Sequence, residues 1–182
     1  MNKFTLMQKI RNKIKIKGDC SISLAPTAKL VNCDISLVGK NISITVKERA
    51  VLRYVKIEIL GDNSSIEIGK HTIVGHGCYI SAKEGKTLRI GDDCMLSRNA
   101  KLLTSDGHYI WDDDGIINYG NNIVINNKVW LADNVTVLKG VEIGENSVIG
   151  INATVTKNIP SSTIAAGNPA KIIKRGISRW EQ

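Results

Sequence analysis

Three histidines are the side chains in this sequence best suited to acid-base chemistry near neutral pH: His71, His76 and His108. His71 and His76 fall inside a regular repeat, where a solvent-facing position is expected. His108 differs because it follows Thr-Ser-Asp-Gly at the start of a stretch that breaks the repeat. Asp106 could orient its ring, and a backbone carbonyl group could do so equally well. His108 is therefore the candidate general base.

The repeat is an aliphatic residue at every sixth position: Ile125, Leu131, Val137, Ile143, Ile149 and Val155. A smaller or branched residue follows four positions after each of the first five: Val129, Val135, Val141, Ser147 and Ala153. Hexapeptide repetition is typical of a parallel β-helix, in which every sixth side chain points inward and stacks on its counterparts in neighbouring coils. The sequence therefore predicts an all-β fold built from coils of three hexapeptides.

The repeat also suggests how the chain is divided. We expect the β-helix over residues 18–160, with irregular early coils between residues 18 and 65, where the six-residue register is loose. Residues 108–124 are rich in Asp, Asn and Gly and break the period, so they are predicted to form a loop that leaves the coil. A Gly-Asn-Pro turn ends the repeat, and residues 161–182 are predicted to form a short basic tail.

The N-terminal segment, residues 1–17, carries six positive residues and no acid. Its apolar residues recur at helical spacing, which predicts a short amphipathic helix: Leu6, Met7, Ile10 and Ile14. One role for this helix is to cap the open end of the β-helix, as repeat arrays require. The alternative is a peripheral contact with the inner face of a membrane through its basic residues.

The composition limits the classes of partner. The net charge is +8, and a basic surface can bind nucleic acid, anionic lipid or an anionic small molecule. Helix-turn-helix, zinc-finger and aromatic-interleaved basic patterns are absent from the sequence, so we do not expect a nucleic-acid partner. The four cysteines lack Cys-x-x-Cys spacing, and Cys78 and Cys94 fall in the small-residue slot, which predicts buried thiols and no metal site. Without an apolar run of about 18 residues or a signal peptide, the chain is expected to be cytoplasmic.

At the level of motifs the second half of the chain resembles a known family. The run IGDDCMLSRNAKLLTSDGHYIWD, the later Val-Trp pair and the motif Ala-Gly-Asn-Pro-Ala-Lys resemble the hexapeptide-repeat O-acetyltransferases that modify bacterial capsule, O-antigen and related glycans. More broadly the chain looks like the galactoside and maltose acetyltransferases. The resemblance covers residues 90–180. It implies a left-handed parallel β-helix, a homotrimer with active sites between subunits, and acetyl-CoA as co-substrate, with no metal.

The resemblance also implies roles for single residues. The family's catalytic histidine matches His108, and a tryptophan that contacts the sulfur end of CoA matches Trp130, which is too large for the core slot. The other contacts to CoA match the following positions: Ala132, Ile151, Thr156, Lys157, Lys171 and Lys174. Ammonium groups among them suit the phosphates of CoA. Trp130 could instead anchor a trimer interface, and the lysines could simply be solvent-exposed surface residues without a ligand.

The sequence departs from the family's pattern in the acceptor region. Where the galactoside and maltose branch has an asparagine that holds the acceptor hydroxyl, this chain has Gly75-His76-Gly77-Cys78. In the cofactor region Ala132 replaces a usual glycine, and Gly150-Ile151-Asn152-Ala153 replaces Gly-Ala-Gly-Ser. The identity of the acceptor therefore cannot be taken over from that branch.

These observations predict an O-acetyltransferase acting on a glycan or nucleotide-sugar acceptor, in capsule, O-antigen or related surface-glycan synthesis. His108 would remove the proton from the acceptor hydroxyl as it attacks the thioester, within a ternary complex. One alternative is a γ-type zinc carbonic anhydrase, which binds zinc through three histidines. In that family the two histidines that are close in sequence come last, whereas in this chain the close pair, His71 and His76, comes first. A second is a non-enzymatic β-helix that binds or supports other molecules, for which a long loop has no purpose.

Overall fold

Each coil of the chain contributes one strand to each of three flat faces, which together form a parallel β-helix of triangular cross-section. The computed structural model describes residues 4–181. On the first face lie the N-terminal halves of β1 (Lys13–Leu24) and β3 (Asp34–Val46), followed by β5 (Lys56–Leu60), β8 (Tyr79–Lys83), β11 (Lys101–Leu103), β16 (Thr136–Val137) and β19 (Thr154–Val155). This arrangement confirms the predicted fold class.

The second face continues directly from the first, because β1 and β3 run through both. It holds their C-terminal halves and β6 (Ser65–Ile68), β9 (Thr87–Ile90), β14 (Ile123–Ile125) and β17 (Glu142–Ile143). The third face is a separate sheet made of β2 (Lys29–Val31), β4 (Val51–Arg53), β7 (Ile73–Val74), β10 (Met95–Leu96), β15 (Trp130–Leu131), β18 (Val148–Ile149), β20 (Thr163–Ala166) and β21 (Lys171–Arg175).

The hexapeptide residues form the core. Ile125 pairs with Ile143, Leu131 with Ile149 and Val137 with Val155, and all six side chains are fully buried. Partners in these late coils are 18 positions apart, as in the pair Asn134 and Asn152. The predicted inward stacking of every sixth side chain is thereby confirmed.

The early coils differ from expectation. They are longer but regular: Ile44 pairs with Ile66, and residues stacked in this region, such as Asn41 and Asn63, are 22 positions apart. The prediction of irregular coils between residues 18 and 65 was wrong because it rested on a six-residue period, which these longer coils do not have. Long strands that cross two faces alternate inward and outward residues instead, so that Ile35 and Leu37 are both buried.

Glycine makes the corner between the first and second faces of these early coils. Gly39 has φ +151°, and a Cβ atom there would lie 2.7 Å from the carbonyl oxygen of Gly61 in the next coil. Such a position favours glycine for both conformational and steric reasons. In a later coil the chain leaves the helix at this same corner, after Leu103, and returns at Ile123.

We call residues 104–122 the arm. It contains a short antiparallel hairpin of β12 (Trp111–Asp112) and β13 (Gly115–Ile116). The arm confirms the predicted extruded loop but is displaced from the expected range 108–124, because Ile123 and Val124 already pair in β14. At the C-terminus the predicted tail contains more structure than expected, since β21 pairs antiparallel with β20.

The predicted N-terminal helix is also present, as α1 (Leu6–Arg11). It is shorter than the segment 1–17, because β1 begins at Lys13, and the first three residues of that segment lie outside the described part of the chain. Within residues 4–181 the structure contains no helix of the length and apolar character needed to span a membrane.

Candidate functional site

His108 lies on the arm, and its main chain is held firmly. The side chain of Asn118 donates to the carbonyl oxygen of His108 and to Asp106, each at 2.9 Å, and its own oxygen accepts from the amide of Ile110 at 2.6 Å. One amide group thus joins the two branches of the arm. The imidazole of His108 is exposed and has no hydrogen-bond partner among residues 4–181. It is free to accept a proton from a bound molecule.

Asp106, the first candidate for orienting that ring, is engaged elsewhere. Lys139, at the corner of the next coil, donates to Asp106 at 2.5 Å and to the carbonyl oxygen of Asn118 at 2.6 Å. The hydrogen bond from Lys139 lowers the pKa of Asp106, and the bond from Asn118 acts in the same direction. Asp106 therefore fastens the arm to the β-helix rather than contacting the imidazole.

Glu84 holds the base of the arm at both of its ends. Its carboxylate accepts hydrogen bonds from the hydroxyl of Ser105 and, at 2.8 Å, from the amide of Gly120. Sequence reasoning missed Glu84, Asn118 and Lys139. Glu84 and Lys139 form hydrogen bonds with arm residues that are 21 to 36 positions away in the sequence, and no motif marks any of the three.

Trp130 lies on the third face, in β15, between Met95 and Val148 of the neighbouring strands. Its indole points outward and is half-buried, as its size predicts. The indole N–H donates to the hydroxyl of Ser97 at 3.1 Å, and the ring lies 6.0 Å from that of Trp180. The third face is opposite the corner that carries the arm. His108 and Trp130 therefore make no contact with each other in this chain.

The other predicted cofactor residues fall into two groups. Ala132 and Ile151 lie in successive coils at the corner between the third and first faces, next to Trp130. Lys171 and Lys174 are exposed on β21, on the third face itself. Thr156 and Lys157 form the second group, exposed after β19 at the corner between the first and second faces. The width of the first face separates the two groups.

A depression of about 410 Å³ lies on the third face, on the N-terminal side of Trp130. Its polar lining comes from His76, Ser97, Arg98 and Asp133. Arg98 is paired with Asp133 at 3.2 Å, and the ring of His76 lies 4.5 Å from that of Tyr54. Ser97 is the residue that also binds the Trp130 indole.

The three histidines are far apart in the β-helix. His71, paired with Asp93 at 3.1 Å, follows the second face, His76 follows the third, and His108 follows the first. Each thus occupies a different corner of the triangle, and both His71 and His76 are exposed, as predicted. Among residues 4–181, no group of three or more His, Cys, Asp or Glu side chains could hold a metal ion.

Comparison with known proteins agrees with the motifs. Residues 122–157 match the bacterial transferase hexapeptide (six repeats) family. A putative lipopolysaccharide biosynthesis O-acetyl transferase of Escherichia coli K12 is 53% identical over 171 residues, which cover 91% of this chain and 78% of that protein. The polysialic acid O-acetyltransferase of Escherichia coli O1:K1 is 42% identical over 116 residues, covering 63% of this chain but only 38% of the relative.

A solved structure shows the same architecture. The crystal structure of the polySia specific acetyltransferase NeuO superimposes with a TM-score of 0.78 and 31% sequence identity, over 95% of this chain and 90% of the other. Together with the stacked hexapeptide core and the projecting arm, these similarities show that the chain belongs to the family of hexapeptide-repeat O-acetyltransferases.

Proposed function

We propose that the protein transfers the acetyl group of acetyl-CoA to a hydroxyl group of a sugar in a capsule, O-antigen or related surface glycan, with His108 as general base. The observation that carries this proposal is an exposed imidazole that has no hydrogen-bond partner among the described residues and lies on an arm held by hydrogen bonds. The relatives of the chain are named as glycan O-acetyltransferases. We propose the cytoplasm as its compartment, since acetyl-CoA is made there.

In the proposed reaction the imidazole of His108 takes the proton of the acceptor hydroxyl as the hydroxyl oxygen attacks the thioester carbonyl carbon. The carbon–sulfur bond then breaks, and the CoA thiolate leaves and takes up a proton. The protein itself forms no covalent bond. Cys78 and Cys94 are unsuited to that role, because burial raises the pKa of each thiol to about 11.

The active site is proposed to lie between subunits of a homotrimer. Two observations support this: His108 and Trp130 lie on opposite sides of one subunit, and the arm exposes several large apolar side chains. These are Tyr109, Ile110, Trp111, Ile117 and Tyr119. Exposed apolar clusters of this kind usually mark an interface. A threefold arrangement would seat each arm against the third face of its neighbour.

This arrangement gives acetyl-CoA a path that uses both groups of cofactor residues. Trp130, Ala132, Ile151, Lys171 and Lys174 would come from the subunit that presents its third face. Thr156 and Lys157 would come from the subunit that supplies the arm, because they lie at the corner from which the arm leaves. The exposed ammonium groups of both subunits suit the phosphates of CoA.

The acceptor would then approach from the other side of Trp130. If CoA runs toward the late coils and Lys171, the depression lined by His76, Ser97 and Arg98 is the open space next to the transferred acetyl group. Its lining is largely apolar, and the polar residues within it can form hydrogen bonds with the hydroxyl groups of a glycan or nucleotide sugar. The region Gly75-His76-Gly77-Cys78 matches the part of the galactoside branch that holds its asparagine, and His76 is its side chain in this lining. We therefore propose that His76 contacts the acceptor.

A calorimetric titration with CoA, followed by a screen of glycan acceptors with acetyl-CoA, tests the function. We expect CoA to bind with roughly micromolar affinity and at least one glycan to stimulate CoA release. Binding without transfer to any tested glycan or nucleotide sugar, or the absence of CoA binding, would contradict the proposal. Zinc at one ion per subunit would favour the carbonic anhydrase alternative.

A further inference from the structure

The N-terminal helix is fixed to the end of the β-helix without using its apolar residues. The helix is N-capped by Thr5, whose side chain accepts from the amide of Gln8. Phe4, before it, is buried in the core. Asn12, after it, is also buried, and its side chain bonds to Gln8, Leu30 and Cys33 at 2.8 to 3.2 Å. Phe4 and Asn12 therefore do the capping that we expected of the whole helix.

The apolar residues of α1 point away from the core instead. Leu6 is 75% exposed, Met7 57% and Ile10 71%, and no residue of α1 is buried. At about 100° per residue these three side chains fall within one quarter to one third of the helix circumference. Lys9 and Arg11 lie on either side of that apolar arc.

Further cations continue this surface along β1. Lys13, Lys15 and Lys17 alternate along the strand and are all exposed, and Lys13 is also paired with Asp34 at 3.1 Å. Within the described chain β1 pairs only with β3, so its outer edge is open. Between Phe4 and Cys33 the sequence contains one acid, Asp19. We call the exposed residues of α1 together with these three lysines the basic end.

We propose that the basic end binds to the surface of an anionic phospholipid membrane. An apolar arc flanked by cations is the arrangement by which short helices lie in the headgroup region. Lysines near such a surface add electrostatic attraction to negatively charged lipids. A six-residue helix offers little apolar area, so both contributions are needed. Charge complementarity favours a membrane over a second copy, because two basic ends would repel each other.

The distance from this end to the site suits a membrane-linked acceptor, a point that rests on the proposed function. Four strand spacings separate β1 from β11, the strand before the arm. At about 4.8 Å per spacing, His108 would lie roughly 20 Å above the membrane surface. A glycan attached to a lipid could extend over that distance into the site.

Co-sedimentation of the full chain with vesicles tests the proposal. We expect binding to vesicles of phosphatidylcholine mixed with phosphatidylglycerol, and little binding to phosphatidylcholine alone. The double variant Leu6→Ser/Ile10→Ser should bind at least about tenfold more weakly, as should Lys13→Gln/Lys15→Gln/Lys17→Gln. Binding of the wild type should weaken as salt is added, and the triple lysine variant should respond less.

Ile173→Ser is the matched control, because Ile173 is 68% exposed on β21, at the other end of the β-helix. It should bind vesicles like the wild type. Equal binding by all variants, or equal binding to neutral vesicles, would overturn the proposal. So would a vesicle-independent change in mass on light scattering with the Leu6/Ile10 variant, which would identify the basic end as a contact between copies. CoA binding by each variant checks the fold and is independent of the membrane result.

Discussion

Lys139 donates to a carboxylate oxygen of Asp106 at 2.5 Å and thereby ties the arm to the coil that follows it. The same ammonium group donates to the carbonyl oxygen of Asn118, on the returning branch of the arm. Asn118 in turn bonds to the carbonyl oxygen of His108. A single lysine thus fixes both branches of the segment that carries the candidate base.

Replacement of Lys139 by Met should loosen the arm without unfolding the β-helix. Because the proposed reaction depends on the placement of His108, we expect kcat to fall about tenfold or more. The affinity for CoA should change little. Steady-state kinetics and calorimetry measure the two effects. Lys101→Met, which removes an exposed lysine of the first face, is the control, and an equal loss in both variants would contradict the role of Lys139.

The same contact predicts a dependence of stability on pH. Since Lys139 lowers the pKa of Asp106 in the folded state, their interaction stabilises the fold above the unfolded pKa of about 3.9. That contribution is lost as the pH falls through the lower, folded-state pKa. We therefore expect the thermal stabilities of wild type and Lys139→Met to differ near pH 6, and the difference to shrink as the pH falls below about 4. A constant difference across this range would contradict the assignment.

The glycine corner should be sensitive to a single methyl group. In Gly39→Ala the added Cβ would lie 2.7 Å from the carbonyl oxygen of Gly61, so we expect a loss of about 1–3 kcal/mol in the free energy of unfolding. Gly115→Ala is the matched control. Its φ of +130° is likewise a conformation that favours glycine, but nothing lies within 4 Å of its added Cβ. Equal losses in the free energy of unfolding, measured with denaturant, would show that the contact with the Gly61 carbonyl oxygen contributes nothing.

The buried thiols should be chemically inert in the folded protein. With the pKa of Cys78 and Cys94 raised to about 11, only about one thiol in a thousand is ionised at pH 8. We expect native protein to leave both cysteines unmodified by a maleimide over hours, and denaturant to make them react at once. Rapid modification of either residue in the native state would reopen a covalent mechanism.

Mixed oligomers test whether the site is shared between subunits. His108→Ala and Trp130→Ala should each be nearly inactive when pure. If each site takes its histidine from one subunit and its tryptophan from the neighbour, random mixed trimers should regain about a quarter of the wild-type sites. Co-expression with two different affinity tags yields such mixtures. Mixtures as inactive as their parents would indicate that both residues act within one subunit.

Sequence periodicity predicted the late coils well and the early coils poorly. In the late coils stacked residues such as Ile125 and Ile143 are 18 positions apart, so the spacing in the sequence directly reflects the length of one coil. In the early coils the interval between stacked residues varies from 21, for Lys13 and Asp34, to 23, for Lys56 and Tyr79. Gly18 and Gly39 also let one strand turn a corner, which removes the six-residue signal.

The candidate site was predictable only in part. His108 could be found because it stands at the point where the repeat fails. Glu84 and Lys139 could not, because their contacts to the arm depend on which coils become neighbours in space. Asn118 lies in the arm itself, where the absence of a repeat leaves no pattern from which its partners could be inferred.

Replacement of His108 by Ala tests the central claim most directly. We expect acetyl transfer to a responsive glycan acceptor, followed as CoA release, to fall by roughly a hundredfold or more. The affinity for CoA and the oligomeric mass should stay as in the wild type, and His71→Ala, an exposed histidine at another corner, should keep full activity. A His108→Ala enzyme that releases CoA at close to the wild-type rate would contradict the assignment of His108 as general base.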